Sequence, residues 1–153
     1  MKHLIYPLAI MSLSYASPSL AAAPVDDSKM PEQILYYVNQ YRTQHHLPPM
    51  KLVPMISQQA VIHSQEMAEH HIPFGHVDFN KRINYLYGHI QNCRTGAENV
   101  AYNYRNAQHV VSQWLTSPGH KRNIQGNFNL TGIGVARDAY GKLYFTQIFL
   151  KTA

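Results

Sequence analysis

Apolar residues in the first two thirds of the chain recur every three or four positions, the spacing of a helix that buries one face. Ile34, Val38 and Tyr41 follow this spacing, as do Val110, Val111 and Trp114. Prolines and glycines interrupt the pattern and mark where helices begin or end. We predict helices over four stretches: residues 31–45, 57–71 and 78–87, with Gly88 behind the third, and 107–116.

The last third of the chain has a different pattern. Residues 131–136 and 143–150 alternate between apolar and polar and are joined by a turn at 140–142, which predicts a β-hairpin. A short strand is also predicted at 98–102. Helices that precede a hairpin are typical of an α+β sandwich and not of a repeating parallel unit.

The segment from Gly96 to Ile124 carries the densest local signals and is the candidate site. Asn106 is predicted to cap the fourth helix, and Pro118 to end it because proline lacks an amide hydrogen. Ser117 and Pro118 then predict the N-cap and first position of another short helix. His120 falls in its first turn, where the positive end of the helix dipole disfavours an imidazolium, so we expect a neutral ring at neutral pH.

The first 23 residues are typical of a cleaved secretory signal. A basic start at Lys2 precedes an apolar run over 4–13 that is too short to span a bilayer permanently, and small residues at 21–23 follow. We predict a signal peptide at 1–23, a mobile polar leader at 24–30 and one domain at 31–153. The expected location is therefore secreted or periplasmic, with no transmembrane segment.

The charge and the cysteine content limit the possible functions of the chain. The formal charge of +5 falls to +4 without Lys2. This excess serves solubility or loose attraction to an anionic envelope. The basic residues are scattered along the sequence, so we expect no nucleic-acid partner. Cys93 is the single cysteine, so an internal disulfide is impossible. We interpret it as a tolerated, half-buried thiol in preference to a reactive one.

Two further groups of side chains have several interpretations. His63, Glu66 and His70 share one face of the second predicted helix, but the two histidines are two turns apart, and we predict a solvated face in preference to a metal site. Tyrosines could form core or line a groove for a lipid, a glycan or a peptide. They are Tyr36, Tyr37, Tyr41, Tyr85, Tyr87, Tyr102, Tyr104, Tyr140 and Tyr144.

Five ordered motifs give the chain a recognisable likeness. They read NQYRTQHHLPPMKL, HSQEMAEHHIPFGH, GAENVA, VVSQWLTSPGHKRNI and TGIGVARDAYGKLYFTQIF. In these motifs the chain resembles the CAP superfamily of cysteine-rich secretory, antigen 5 and pathogenesis-related proteins, in its small bacterial form. The resemblance implies a three-layer α-β-α sandwich with a central antiparallel sheet. The disulfides of animal and plant members are missing here.

The same resemblance implies a surface cleft lined by two histidines and two acids. Residue by residue these are His76, His120 and Glu98, while Ser117 stands where the second acid is expected. Serine is neither a carboxylate base nor a strong metal ligand. If the histidines converge, His76 and His120 could hold Zn²⁺ weakly, with water completing the coordination.

Three functions remain open from the residues. The first is a non-catalytic binding module, expected to be monomeric, whose cleft takes a divalent ion, a small ligand, a lipid or an envelope or host component. The second is a metal-assisted hydrolase of peptidase or esterase type that uses Glu98 as base; a Ser117–His120–Glu98 triad is weaker because no GxSxG elbow is present. The third is a scaffold whose polar cluster stabilises the fold.

Overall fold

The strand at residues 143–152 lies in the middle of the sheet and is buried along its first eight residues. The computed structural model describes residues 26–153, except for the side chain of Arg94. The predicted signal peptide lies outside this range. In chain order the elements are α1 (Met30–Gln44), β1 (Lys51–Leu52), α2 (Pro54–Ala68), α3 (Phe79–His89), β2 (Cys93–Tyr102), α4 (Ala107–Thr116), α5 (Pro118–Gln125), β3 (Leu130–Arg137) and β4 (Leu143–Thr152).

The four strands are ordered β1-β3-β4-β2. β4 pairs antiparallel with both β2 and β3, as predicted for a central antiparallel sheet. β1 adds two residues at the edge, parallel to β3. This edge strand was not predicted, because two residues are too few to show an alternating pattern.

Helices cover both faces of the sheet, which confirms the three-layer α-β-α arrangement. Alternation along β4 divides its side chains between the layers. Phe145 and Phe149 pack with apolar residues of α1, α4 and α5, whereas Ile148 and Leu150 pack with α2 and α3. Trp114 of α4 is buried in the first of these layers, as its place on the apolar stripe predicts.

The predicted helices are all present, but several ends differ. α1 begins at Met30, one residue earlier than predicted. α2 begins at Pro54 and not at Ser57, because proline fits the first turn of a helix. α3 runs to His89, so Gly88 lies within the helix and does not terminate it.

Helix α2 approaches the sheet closely because β3 carries glycines beneath it. A Cβ atom on Gly134 would lie 2.2 Å from the backbone carbon of Ala60, and one on Gly132 would lie 2.2 Å from the backbone of Ile56. No side-chain rearrangement can relieve a contact with helix backbone. The two glycines therefore set the distance between this helix and the sheet.

Arg42 is a charged residue in the core that the apolar pattern did not predict. Its guanidinium donates to the carbonyls of Pro48, Ile124, Gly126 and Phe128 at 2.7–3.1 Å. Burial lowers the pKa of Arg42, and the four carbonyls replace the water that the cation loses. The residue thereby ties the end of α1 to the segment between α5 and β3.

We predict that Gly134→Ala lowers the free energy of unfolding by at least about 3 kcal/mol, because α2 must move off the sheet. Gly88→Ala is the matched control, since a Cβ there meets nothing within 4 Å. This control should stabilise the protein by up to about 1 kcal/mol, as alanine favours the helix. Urea denaturation measures both; equal stability of the two variants would contradict the close packing of α2 on β3.

Candidate functional site

The segment from Asn106 to His120 has the predicted backbone. The Asn106 side chain accepts a hydrogen bond from the His109 amide at 2.9 Å and caps α4. The helix ends at Thr116, and α5 begins at Pro118 with Ser117 as the N-cap residue. However, the Ser117 side chain makes no capping hydrogen bond, so its hydroxyl is available for other contacts.

Glu98 projects from β2 towards α3 and is only 6% exposed. Arg82 of α3 binds its carboxylate with two hydrogen bonds, from Nε to Oε2 and from Nη2 to Oε1, each 2.9 Å long. Burial acts to raise the pKa of Glu98, but hydrogen bonds from His76 and Arg82 and the Arg82 charge outweigh it and lower the pKa. Glu98 is therefore a buried, ionised carboxylate.

His76 lies in the loop between α2 and α3, with its ring half exposed. Its Nδ1 lies 2.9 Å from Glu98 Oε1. Because an ionised carboxylate only accepts hydrogen bonds, Nδ1 must carry the proton of this bond. The neutral ring therefore has its lone pair on Nε2, the nitrogen that Glu98 does not occupy.

His63 belongs to the same network, and the prediction of a solvated face for it is wrong. The side chain is 0% exposed, with Nε2 2.8 Å from the Gly75 carbonyl and 3.9 Å from Glu98 Oε1. Burial and the nearby Arg82 charge lower its pKa. Within residues 26–153 its Nδ1 has no hydrogen-bond partner.

The remaining members of that predicted group lie elsewhere. Glu66 is half-buried, and His70 is exposed and lies beyond the end of α2 with a φ of 57°. The signal for His63 was present in the sequence: it lies three residues from Ala60 and four from Met67, which are both buried. The apolar stripe of α2 therefore includes this histidine.

His120 lies at the start of α5, half-buried beside Trp114, with ring centroids 6.4 Å apart. Burial, and secondarily the charge of His76, lower its pKa. The lowered pKa agrees with the neutral ring expected at this helix start, but its main cause is burial and not the helix dipole.

Two buried or half-buried asparagines hold His120 in place, and the sequence patterns did not single them out. Asn99 of β2 donates to the His120 carbonyl at 3.1 Å. Asn123 of α5 donates to the Asn99 side chain at 2.8 Å and to the Glu98 carbonyl at 3.3 Å. They fix the first turn of α5 against the strand that carries Glu98.

A groove of about 340 Å³ runs between the end of β2 and the junction of α4 and α5. Ser117 and His120 lie on its wall, so two of the four predicted cleft residues face this space. The lining residues are Phe74, Val100, Ala101, Tyr102, Tyr104, Gln113, Trp114, Thr116, Ser117 and His120.

These contacts decide between some of the predicted chemistries. Arg82 and His76 occupy both oxygens of Glu98, so this carboxylate is poorly placed to act as a base. It orients His76 and not His120, which argues against a triad of Ser117, His120 and Glu98. Glu98 is a positioning residue.

The metal prediction reduces to two nitrogen ligands. Among the described residues, no group of three or more histidine, cysteine, aspartate or glutamate side chains could hold a metal ion. The two predicted ligands, His76 and His120, would therefore supply only two imidazole nitrogens, and the metal site stays a prediction. Two imidazoles backed by a carboxylate suit a loosely held divalent ion whose other positions are filled by water.

We predict that Arg82→Met lowers the free energy of unfolding by about 3–5 kcal/mol, because it leaves the Glu98 charge buried without its main partner. Lys81→Met is the matched control on the same helix, since Lys81 pairs with Asp78 at an exposed position. That change should stay within about 1 kcal/mol. Similar urea midpoints for the two variants would show that the Arg82–Glu98 pair adds little.

We also predict loss of stability in acid in two steps. The pKa values of His63 and His120 lie below the ordinary 6.5. As the pH drops below about 6.5, the unfolded chain therefore binds protons more readily than the folded chain, and the free energy of unfolding decreases. The pKa of Glu98 lies below 4.5; its contribution is fully present above that value and is lost as the pH falls through the lower, folded-state pKa.

Thermal melts across this pH range test the assignment. His63→Gln keeps a donor for the Gly75 carbonyl but does not titrate, so its melting temperature should fall less between about pH 7.5 and 5.5. The exposed His89→Gln should behave like wild type. An unchanged first step in His63→Gln would remove His63 from the explanation.

Comparison with known proteins gives one family. The sequence model of the cysteine-rich secretory protein family, CAP, matches residues 35–149. Two Bacillus subtilis proteins are similar: the "Uncharacterized membrane protein YlbC", 34% identical over 125 residues and 78% of this chain, and the "Uncharacterized protein YkwD", 28% identical over 131 residues and 84% of this chain. The chain spans 34% and 50% of their lengths.

Solved structures share the fold. An extracellular protein with an SCP domain from Bacillus anthracis has a TM-score of 0.71 at 24% identity, with 86% of this chain and 45% of that one covered. An outer surface protein from Borrelia burgdorferi has a TM-score of 0.70 at 18% identity, over 84% of this chain and 97% of that one. None of the helices within residues 26–153 has the length and apolar character needed to cross a bilayer.

Proposed function

Because the chain belongs to the cysteine-rich secretory protein (CAP) family, we propose that it is an exported binding module in which His76 and His120 hold a divalent ion reversibly. The observation that carries this proposal is the bond between His76 Nδ1 and Glu98. This bond turns the protonated Nδ1 towards Glu98. The Nε2 atom of the half-exposed ring is left with a lone pair that can bind a metal ion. Carboxylate–histidine pairs of this kind orient the ligands of many metal sites.

The electrostatics around His120 support the same proposal. A metal ligand must be unprotonated, and burial lowers the pKa of His120. The charge of His76 acts on this ring, and Asn99 fixes the backbone of His120. Because a cation binds only the unprotonated imidazole, metal affinity at such a site depends on pH.

Ser117 determines the strength of the proposed site. It stands where the resemblance implies a second acid, and a neutral hydroxyl adds no negative charge to attract a cation. Two protein nitrogens with water suit a weak, exchangeable Zn²⁺ ion and not a structural one. The same lack of an available carboxylate base favours binding over hydrolysis.

The proposed location outside the cytoplasm rests on two kinds of support. Residues 1–23 have the basic, apolar and small-residue order of a secretory signal. The structural neighbours include an extracellular protein and an outer surface protein. The membrane protein YlbC is matched over only a third of its length, so its membrane location is not carried over to this chain.

We predict that calorimetric titration with Zn²⁺ gives a saturable heat for the wild type at about pH 7.5, and that His76→Ala or His120→Ala weakens it by at least about tenfold. His89→Ala is the control, because His89 is an exposed histidine on α3. Affinity should fall towards pH 5.5, as protons compete for the imidazoles.

Absence of heat from the wild type would refute the metal-binding proposal. Equal loss in His89→Ala would show adventitious binding to surface histidines. If zinc does not bind but the His76→Ala/His120→Ala double variant melts several degrees lower, the polar cluster acts as a scaffold for the fold.

A further inference from the structure

A row of aromatic rings extends from the groove across the surface of the sheet. Phe74 and Tyr102 have centroids 4.8 Å apart, and Tyr102 stacks on Tyr144 at 5.6 Å with an interplanar angle of 21°. Phe74 is 48% exposed and Tyr102 45% exposed. Two adjacent rings are therefore held by aromatic packing while large parts of their surfaces face solvent.

The groove lining also includes uncharged polar side chains. Gln113, Thr116 and Ser117 contribute one amide and two hydroxyl groups. Together these provide both donors and acceptors. Among the described residues that line the groove, none is a lysine, arginine, aspartate or glutamate.

This lining disfavours several classes of ligand. A phosphate or carboxylate group would find no cation among these groove residues. An acyl chain would cover the Gln113 amide and the Ser117 hydroxyl without offering them a hydrogen-bond partner. A ring with apolar faces and uncharged polar edges suits both the aromatic and the polar side chains of the groove.

We propose that this groove is a saccharide-binding site in which an uncharged sugar ring stacks on Phe74 and Tyr102 and forms hydrogen bonds with Gln113, Thr116 and Ser117. Its volume of about 340 Å³ falls within the usual range of small-molecule sites. The inference goes beyond the proposed metal site, with which the groove shares His120 and Ser117.

Trp114 provides a built-in reporter. It is the only tryptophan in the chain and lies on the groove, so a bound sugar should alter its fluorescence. Titrations would use three neutral probes, the β-1,4-linked N-acetylglucosamine trisaccharide, cellotriose and maltotriose, and the anionic galacturonic acid trisaccharide. EDTA in every sample separates this binding from that of a metal ion.

We predict saturable binding of at least one neutral trisaccharide and weaker or no binding of the anionic one. Phe74→Ala and Tyr102→Ala should each weaken binding by about tenfold or more, because each removes a stacking face. Tyr140→Ala is the matched control: Tyr140 is 85% exposed in the turn between β3 and β4 and should not affect binding.

Saturation-transfer NMR with the same probes provides a second readout that does not depend on Trp114. Absence of both signals for all three neutral probes would overturn the proposal, as would equal affinity in wild type and Phe74→Ala. Phe74 lies in a loop and is half exposed, so this variant should keep the wild-type melting temperature even if Tyr102→Ala does not fold. Tighter binding of octanoate or of an uncharged pentapeptide than of any sugar would also overturn it.

Discussion

The buried ion pair between Arg82 and Glu98 is the constraint on which the candidate site depends. Removing two charges from water is costly, and their attraction offsets this cost only when the geometry is good and other hydrogen bonds are satisfied. Here Arg82 binds both carboxylate oxygens and also donates to the Val77 carbonyl. Helix α3, strand β2 and the loop that carries His76 are thereby fixed relative to one another.

Because of this ion pair, the residues that the family resemblance places in one cleft have different surroundings and different roles. Glu98 is buried and charged, and both of its carboxylate oxygens already accept hydrogen bonds, whereas the His76 ring is half exposed. His120 approaches from another element, α5, and is held through its backbone by Asn99. The site is thus a pair of imidazoles on a fixed polar base, and the adjoining groove adds aromatic and uncharged polar surface.

Sequence periodicity predicted most of the fold because amphipathic helices and the final hairpin each show their pattern locally. It failed where local pattern carries no information. The two-residue strand β1 depends on its pairing with β3, and the core position of Arg42 depends on carbonyls far along the chain. In the site, His76 and Glu98 are 22 residues apart, so only tertiary structure can show that they touch.

The position of Arg42 has a consequence for how the chain acquires its structure. Three of the carbonyls that bind this cation lie 82 to 86 residues downstream of it. A nascent chain that ends at α5 lacks the Gly126 and Phe128 carbonyls, so its first helix cannot dock with all the hydrogen bonds of this buried cation formed. Completion of the core, and with it the burial of this charge, therefore waits until the C-terminal third of the chain has been synthesised.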